Sequence, residues 1–223
     1  MRSNPSAHVV HSIARALELQ VPERQQLYAA FVELTGQQID DEPVESALLD
    51  LGHMAELLVM NTSYPAHSLD RLWYLHAWNE AATTLFEAQE EAATGALRRV
   101  HLLELVFGAH RRRQFHGWES LARRLVSDFQ YNTHTLTHLP EYKELLKRLR
   151  ELPEFRRIAA ATYAESKPAP SFVFHVQHSE LGRLSLRTAT TVFTGISTYS
   201  MVSYVPGDQH TLEIYRQRHW QQN

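Results

Sequence analysis

Fourteen histidines in a chain without cysteine raise the first chemical question: whether any of them gather around a metal ion. His134 and His138 have the i, i+4 spacing that sets two imidazoles on one helical face. The segment around them, NTHTLTH, supplies no carboxylate, and no His-Glu-x-x-His motif occurs, so no zinc site is expected. A second group is cationic. The run His110 to Arg113 (HRRR) is expected to be a solvated loop after Gly108, with an acidic partner or nucleic acid as the alternative use. Arg123 and Arg124, and Arg183 and Arg187, are the side chains suited to a ligand carboxylate, because a guanidinium meets one with parallel hydrogen bonds. Nucleophilic and phosphate chemistry have no signature. There is no Gly-x-Ser-x-Gly elbow, Walker loop, Gly-x-Gly-x-x-Gly turn or cysteine nucleophile. Neither an enzyme nor a bound cofactor is implied.

The elements that must carry such residues read as helices first and strands last. The stretch LWYLHAWNEAATTLF, Leu72 to Phe86, opens with a short apolar and aromatic strand over Leu72–Ala77. It passes at Asn79 into an alanine-rich helix, with the Asn79 side chain placed to cap the first turn. Upstream, helices are expected from Asn4 to about Leu19, from Pro22 to Gly36 and from Pro43 onward. A polar linker spans Gln37 to Glu42, and Gly52 interrupts the third pattern before Met54–Val59. Tyr64-Pro65 to Asp70 suits a short edge strand. Downstream, Leu97, Val100, Leu103, Val106 and Phe107 line one helix ending at Gly108. Trp118, Leu121, Leu125 and Phe129 line the clearest amphipathic helix, and Pro140 and Pro153 start two more. After Lys167–Pro170 the period becomes two: Phe172, Phe174 and Val176, then Leu184 and Leu186, then Thr188–Phe193 and Tyr199–Val205. Tight turns between successive strands imply an antiparallel meander. The fold class is α+β, a small antiparallel sheet with helices inserted between its halves.

Composition narrows the function classes. With 43% hydrophobic residues among 223, the chain can bury one full domain and a small appendage. No run approaches the ~18 apolar residues of a membrane span, and no signal-peptide core opens the chain, so a cytoplasmic protein is expected. Charge is segregated: residues 1–38 are neutral, 39–95 carry eleven carboxylates against Arg71, and 96–160 carry thirteen cations against seven anions. No basic N-terminal face advertises nucleic-acid binding.

Four stretches together resemble one family, the MmyB-like bacterial transcription regulators, in their C-terminal ligand-binding domain. They are His76-Ala77-Trp78-Asn79 before an alanine-rich helix, Leu152-Pro153-Glu154-Phe155-Arg156-Arg157 at a helix start, His178-Ser179-Glu180-Leu181-Gly182-Arg183-Leu184 at a hairpin, and Pro206-Gly207 after the last strand. The resemblance implies a PAS-like sheet over 43–215 that binds a small apolar ligand such as a fatty acid. Pro5-Ser6, Ile13–Leu17 and Pro22–Arg24 look similar to the last helices of an Xre-type helix-turn-helix domain, a remnant over 1–38. The recognition helix of such a domain would lie upstream of Pro5, so DNA contact by this chain itself is not expected.

A pocket needs facing apolar surfaces. Phe172, Phe174 and Leu186 offer them on the sheet; Leu103, Phe107, Trp118, Leu121, Leu125 and Phe129 offer them on helices. Trp78 and Phe86 flank the strand-to-helix junction. Such faces can enclose ~300–1,000 Å³, or they can pack together as a solid core. The expected function is therefore a ligand sensor, with a dimerisation module lacking a ligand and a small lipid-acting enzyme as rivals. A homodimer is compatible with each.

Overall fold

The computed structural model describes residues 6–17, 19, 21–36, 51–95, 97, 100–162, 171–193 and 198–220. The linker expected over Gln37–Glu42, the helix start near Pro43 with Val44 and Leu48, and the Lys167–Pro170 boundary lie outside them.

Two helices, α1 (Ala7–Ala16) and α2 (Val21–Thr35), come first and share a small cluster of Val10, Ala14, Tyr28 and Phe31. Only part of their apolar pattern is used. Val9, Ile13, Leu17 and Leu34 are exposed. Next comes α3 (Leu51–Asn61), which runs unbroken through Gly52, contrary to the expected interruption. The Gly52 carbonyl lies 3.0 Å from His76 Nε2, which ties α3 to the sheet.

Six strands form one curled antiparallel sheet in the order β2-β1-β6-β5-β4-β3. Their ranges are β1 (Ala66–Leu69), β2 (Leu75–Trp78), β3 (Phe115–His116), β4 (Val173–His178), β5 (Gly182–Phe193) and β6 (Tyr199–Pro206). The order is PAS-like: a first hairpin, inserted helices, then a meander whose last strand returns to pair with the first. The strand before Asp70 is therefore interior, between β2 and β6, rather than at an edge. Leu72 and Trp73 belong to the β1–β2 turn instead of the strand. The Asp70 carboxylate holds that turn by accepting from the amides of Leu72 (2.8 Å) and Tyr74 (2.9 Å).

The inserted helices are α4 (Glu80–Leu85), α5 (Gln89–Ala93), α6 (Leu102–Phe107), α7 (Ala109–Gln114), α8 (Trp118–Asn132), α9 (Pro140–Glu151) and α10 (Pro153–Ala160); α11 (Gln209–Gln217) closes the chain. The helix expected from Leu97 begins only at Leu102, because the His101 ring caps it by accepting from the Leu103 amide (3.2 Å). The expected loop at His110–Arg113 is helix α7, and Arg111 is buried there, 4% exposed.

Three of the four motif stretches are joints between elements. His178 Nδ1 accepts from the amides of Glu180 and Leu181, while Nε2 meets the Thr84 carbonyl (3.1 Å), tying the β4–β5 hairpin to α4. The Gly207 amide donates to the Ser185 carbonyl at 2.7 Å, and an added Cβ would lie 2.6 Å from Ser185 Oγ and 3.1 Å from that carbonyl oxygen, so a side chain there would crowd β5. Asn79 is the most connected joint. Its Oδ1 accepts from the amides of Ala82 (2.9 Å) and Ala66 (3.1 Å), and its Nδ2 faces the carbonyls of Val59, Thr62 and Tyr64 (3.2, 3.1 and 2.7 Å). One buried amide thus fastens the end of α3, the start of β1 and the start of α4.

An aspartate at position 79 would keep the cap but turn an acceptor toward three carbonyls. Asn79→Asp is therefore expected to destabilise by about 3 kcal/mol or more, no less than Asn79→Ala. Chemical denaturation measures this; an aspartate variant as stable as the native chain would reduce Asn79 to a simple helix cap.

Candidate functional site

Strand alternation decides what the concave face of the sheet presents. His67 and Leu69 of β1, Thr188, Thr190 and Val192 of β5, and Ser200, Val202 and Tyr204 of β6 all point to one side. Ala66 and Ser68 are buried on the other, where α3 packs against β1. Helices α4, α6 and α8 cross the concave side without filling it. Between them lies a cavity of about 600 Å³, within the usual range for small-molecule pockets.

Exposed lining residues mark its mouth: Arg71, Asn132, Thr135, Thr190, Val192 and Thr198. Buried Phe115, Phe174 and Tyr204 mark its closed end, where with half-buried Phe86 they form an aromatic cluster with ring centroids 4.9–6.4 Å apart. Trp73 stands beside this space with φ +68, a conformation that a bulky residue rarely adopts. Its indole meets Phe129 edge-on at 5.6 Å, and that burial offsets the backbone cost.

Of the residues proposed from sequence, Trp78, Phe86, Leu121, Leu125, Phe172 and Phe174 line the cavity. The other five do not. Leu103 and Leu186 are fully buried, and Phe129 stacks on Tyr142 at 6.1 Å. Phe107 packs between Trp118 and Phe155. Trp118 donates its indole N–H to the Val106 carbonyl (2.9 Å) and lies under Arg112. Leu103, Phe107 and Phe129 belong to the core on the far side of the helices, Leu186 is buried in β5, and Trp118 is half-buried at the start of α8.

The arginines divide differently from expectation. Arg183 and Arg187 are exposed and off the cavity, and Arg123 pairs with Glu119 at 2.7 Å on the surface. Arg124 pairs with Asp128 (2.7 Å) and covers the Phe172 ring. Arg111 and Arg71 are the cations that line the space. Arg111 is held by Glu91 (3.0 Å), Gln114 (3.0 Å) and the Phe86 carbonyl, and burial lowers its pKa. Burial pushes the carboxyls of Asp70 and Asp128 up, against the hydrogen bonds and cations that favour their ionised form. His134 is exposed against the Tyr131 carbonyl (2.6 Å). Among the described residues no group of three metal-ligating side chains converges, and no helix is long and apolar enough to cross a membrane.

Sequence reasoning missed the closed end's polar pair. His67 Nδ1 lies 3.3 Å from the Tyr204 hydroxyl, with the rings 5.6 Å apart. Burial lowers the His67 pKa to about 4 and raises that of Tyr204. The one available signal was a histidine inside AHSL, a four-residue strand otherwise small or apolar.

A PAS-like sheet curled around an apolar cavity defines a ligand-binding domain. The model of the MmyB-like transcription regulator ligand binding domain matches residues 53–217, and the chain belongs to that family. No curated protein matches it.

His67 and His101 connect the site to stability. The unfolded chain protonates both rings near pH 6.5, whereas burial holds the folded ones at about 4 and about 3. Between those values the unfolded state binds more protons, so stability falls as pH drops from 6.5 toward 4. His67→Phe is expected to lose less stability than the native chain between pH 7 and pH 5, by about 2 kcal/mol. Denaturant titrations at the two pH values give the comparison; an equal loss would show that His67 is charged in the folded protein.

Proposed function

We propose that this domain senses an elongated apolar ligand of the fatty-acyl kind, binding it without chemistry. The cavity carries this reading: about 600 Å³ lined mainly by aliphatic and aromatic side chains, in a domain whose remaining core is packed. Trp78, Phe86, Leu121, Leu125, Phe172 and Phe174 would contact the ligand body. The ionisable groups near the closed end are bound to one another, and that commitment to structure favours binding over catalysis.

The assignment to a family of regulators supports the rest of the proposal. The sensor would occupy residues 43–215, and α1 and α2 would be the last helices of an Xre-type DNA-binding head. Ligand occupancy would shift the balance between conformations of that head, most simply in a cytoplasmic homodimer that presents two heads to one operator.

Leu125→Trp places an indole in the cavity from its half-buried position on α8. It is expected to weaken binding of methyl decanoate more than tenfold in isothermal titration while leaving the far-ultraviolet circular dichroism unchanged. Unchanged affinity in folded Leu125→Trp and Phe174→Ala proteins would remove the cavity from the binding account.

A further inference from the structure

We propose that the ligand lies tail-first in the cavity, its alkyl end among the rings of the closed end and an anionic head group, carboxylate or phosphate, at the mouth on the guanidinium of Arg71. The proposal rests on the apolar-ligand reading and adds which way the ligand points and what its polar end carries.

Strand register sets the long axis of the space. Leu69 of β1 and Val192 of β5 both stand opposite Ser200 of β6. The β1–β2 turn that carries Arg71 and the last residues of β5 therefore share one end of the sheet, the end with the exposed mouth. Tyr204, a member of the aromatic cluster, lies four residues further along β6. At ~3.3 Å per residue the two positions are ~13 Å apart, a span that suits a chain better than a compact molecule.

The polar side chains at the closed end are committed to the protein. The Tyr204 hydroxyl is bound to His67 (3.3 Å), whose Nε2 is sealed off inside the protein. Thr188 Oγ1 accepts from the Phe172 amide (3.1 Å). Arg111 is held by Glu91, Gln114 and the Phe86 carbonyl. A charged head group placed there would lose its hydration with no free cation in return. An alkyl end has no such loss.

The mouth differs. Arg71 is exposed, lines the cavity and makes no ion pair or side-chain hydrogen bond among the described residues. Of the other cations beside the cavity, Arg111 is paired with Glu91 and Arg124 with Asp128, which leaves Arg71 for a ligand. The two carboxylates that line the space are committed as well, Asp128 to Arg124 and Asp70 to the amides of Leu72 and Tyr74. Exposed Asn132, Thr135, Thr190 and Thr198 supply further hydrogen-bonding groups around the opening.

Competition against a bound fluorescent fatty-acyl probe at pH 7.5 and low salt, using decanoate, decyl phosphate, decanol and decanedioate, tests the proposal. Decanoate or decyl phosphate is expected to bind about two- to fivefold more tightly than decanol, the size an exposed ion pair allows. Whichever anion binds better names the head group. Arg71→Gln is expected to remove that advantage and leave decanol unchanged. Decanedioate, which must bury one carboxylate to enter, is expected to bind about tenfold or more weakly than decanoate. Decanedioate as tight as decanoate overturns the tail-first orientation. Decanol as tight as both anions in the native chain, or an equal loss of decanol and decanoate in Arg71→Gln, overturns the Arg71 anchor. Both of those results leave the apolar cavity standing. Failure of all four compounds to bind overturns the apolar-ligand reading and this proposal with it.

Discussion

The whole arrangement hangs on one side-chain amide. Asn79 sits where β2 ends and α4 begins, and its five hydrogen bonds reach α3, the start of β1 and the first turn of α4. Donor and acceptor functions are both needed, because the groups it meets are two amides on one side and three carbonyls on the other. All of them are backbone groups at or beside element ends, where regular secondary structure leaves donors and acceptors unused. With that junction fixed, α4 leaves the sheet at a set angle and Trp78, one residue earlier, faces the cavity.

Cavity and core follow from a division of labour around α6 and α8. Both helices present apolar residues to two sides. Leu121 and Leu125 of α8 face the sheet across empty space, while Val126 and Phe129 pack backward against α9 and the rest of the core. The solid side supplies the rigidity that keeps the open side from collapsing. Fully buried Leu103, Leu145, Leu149 and Ile158 each contribute about 1.5–3 kcal/mol by leaving water. At the closed end the aromatic cluster and the pairing of Arg111 with Glu91 shape the wall, while the mouth is built from exposed threonines, Asn132 and Arg71.

Local signals in the sequence marked the joints well and the cavity poorly. Alternation disclosed β4, β5 and β6, and prolines at helix starts disclosed α9 and α10, because each depends on neighbours in sequence. The four motif stretches read as a family signature, and in three-dimensional terms they are largely joints: Asn79, His178 and Gly207 bind backbone across element boundaries. What escaped was tertiary. The burial of Arg111 depends on Glu91, twenty residues away. The late start of α6 depends on a histidine ring acting as a cap, and β3 is only two residues long. Leu125 and Phe129, one helical turn apart on the same face pattern, went to cavity and core respectively, a distinction set by helix rotation and invisible to periodicity. His67 and Tyr204 meet across 137 positions.

Native mass spectrometry of the purified chain, repeated after denaturation and solvent extraction, tests the central claim most directly. The account predicts a native mass excess of a few hundred daltons that is released as an extractable lipid-like molecule on unfolding. A chain of bare mass in both states, with no thermal shift on addition of fatty-acyl compounds, would contradict it.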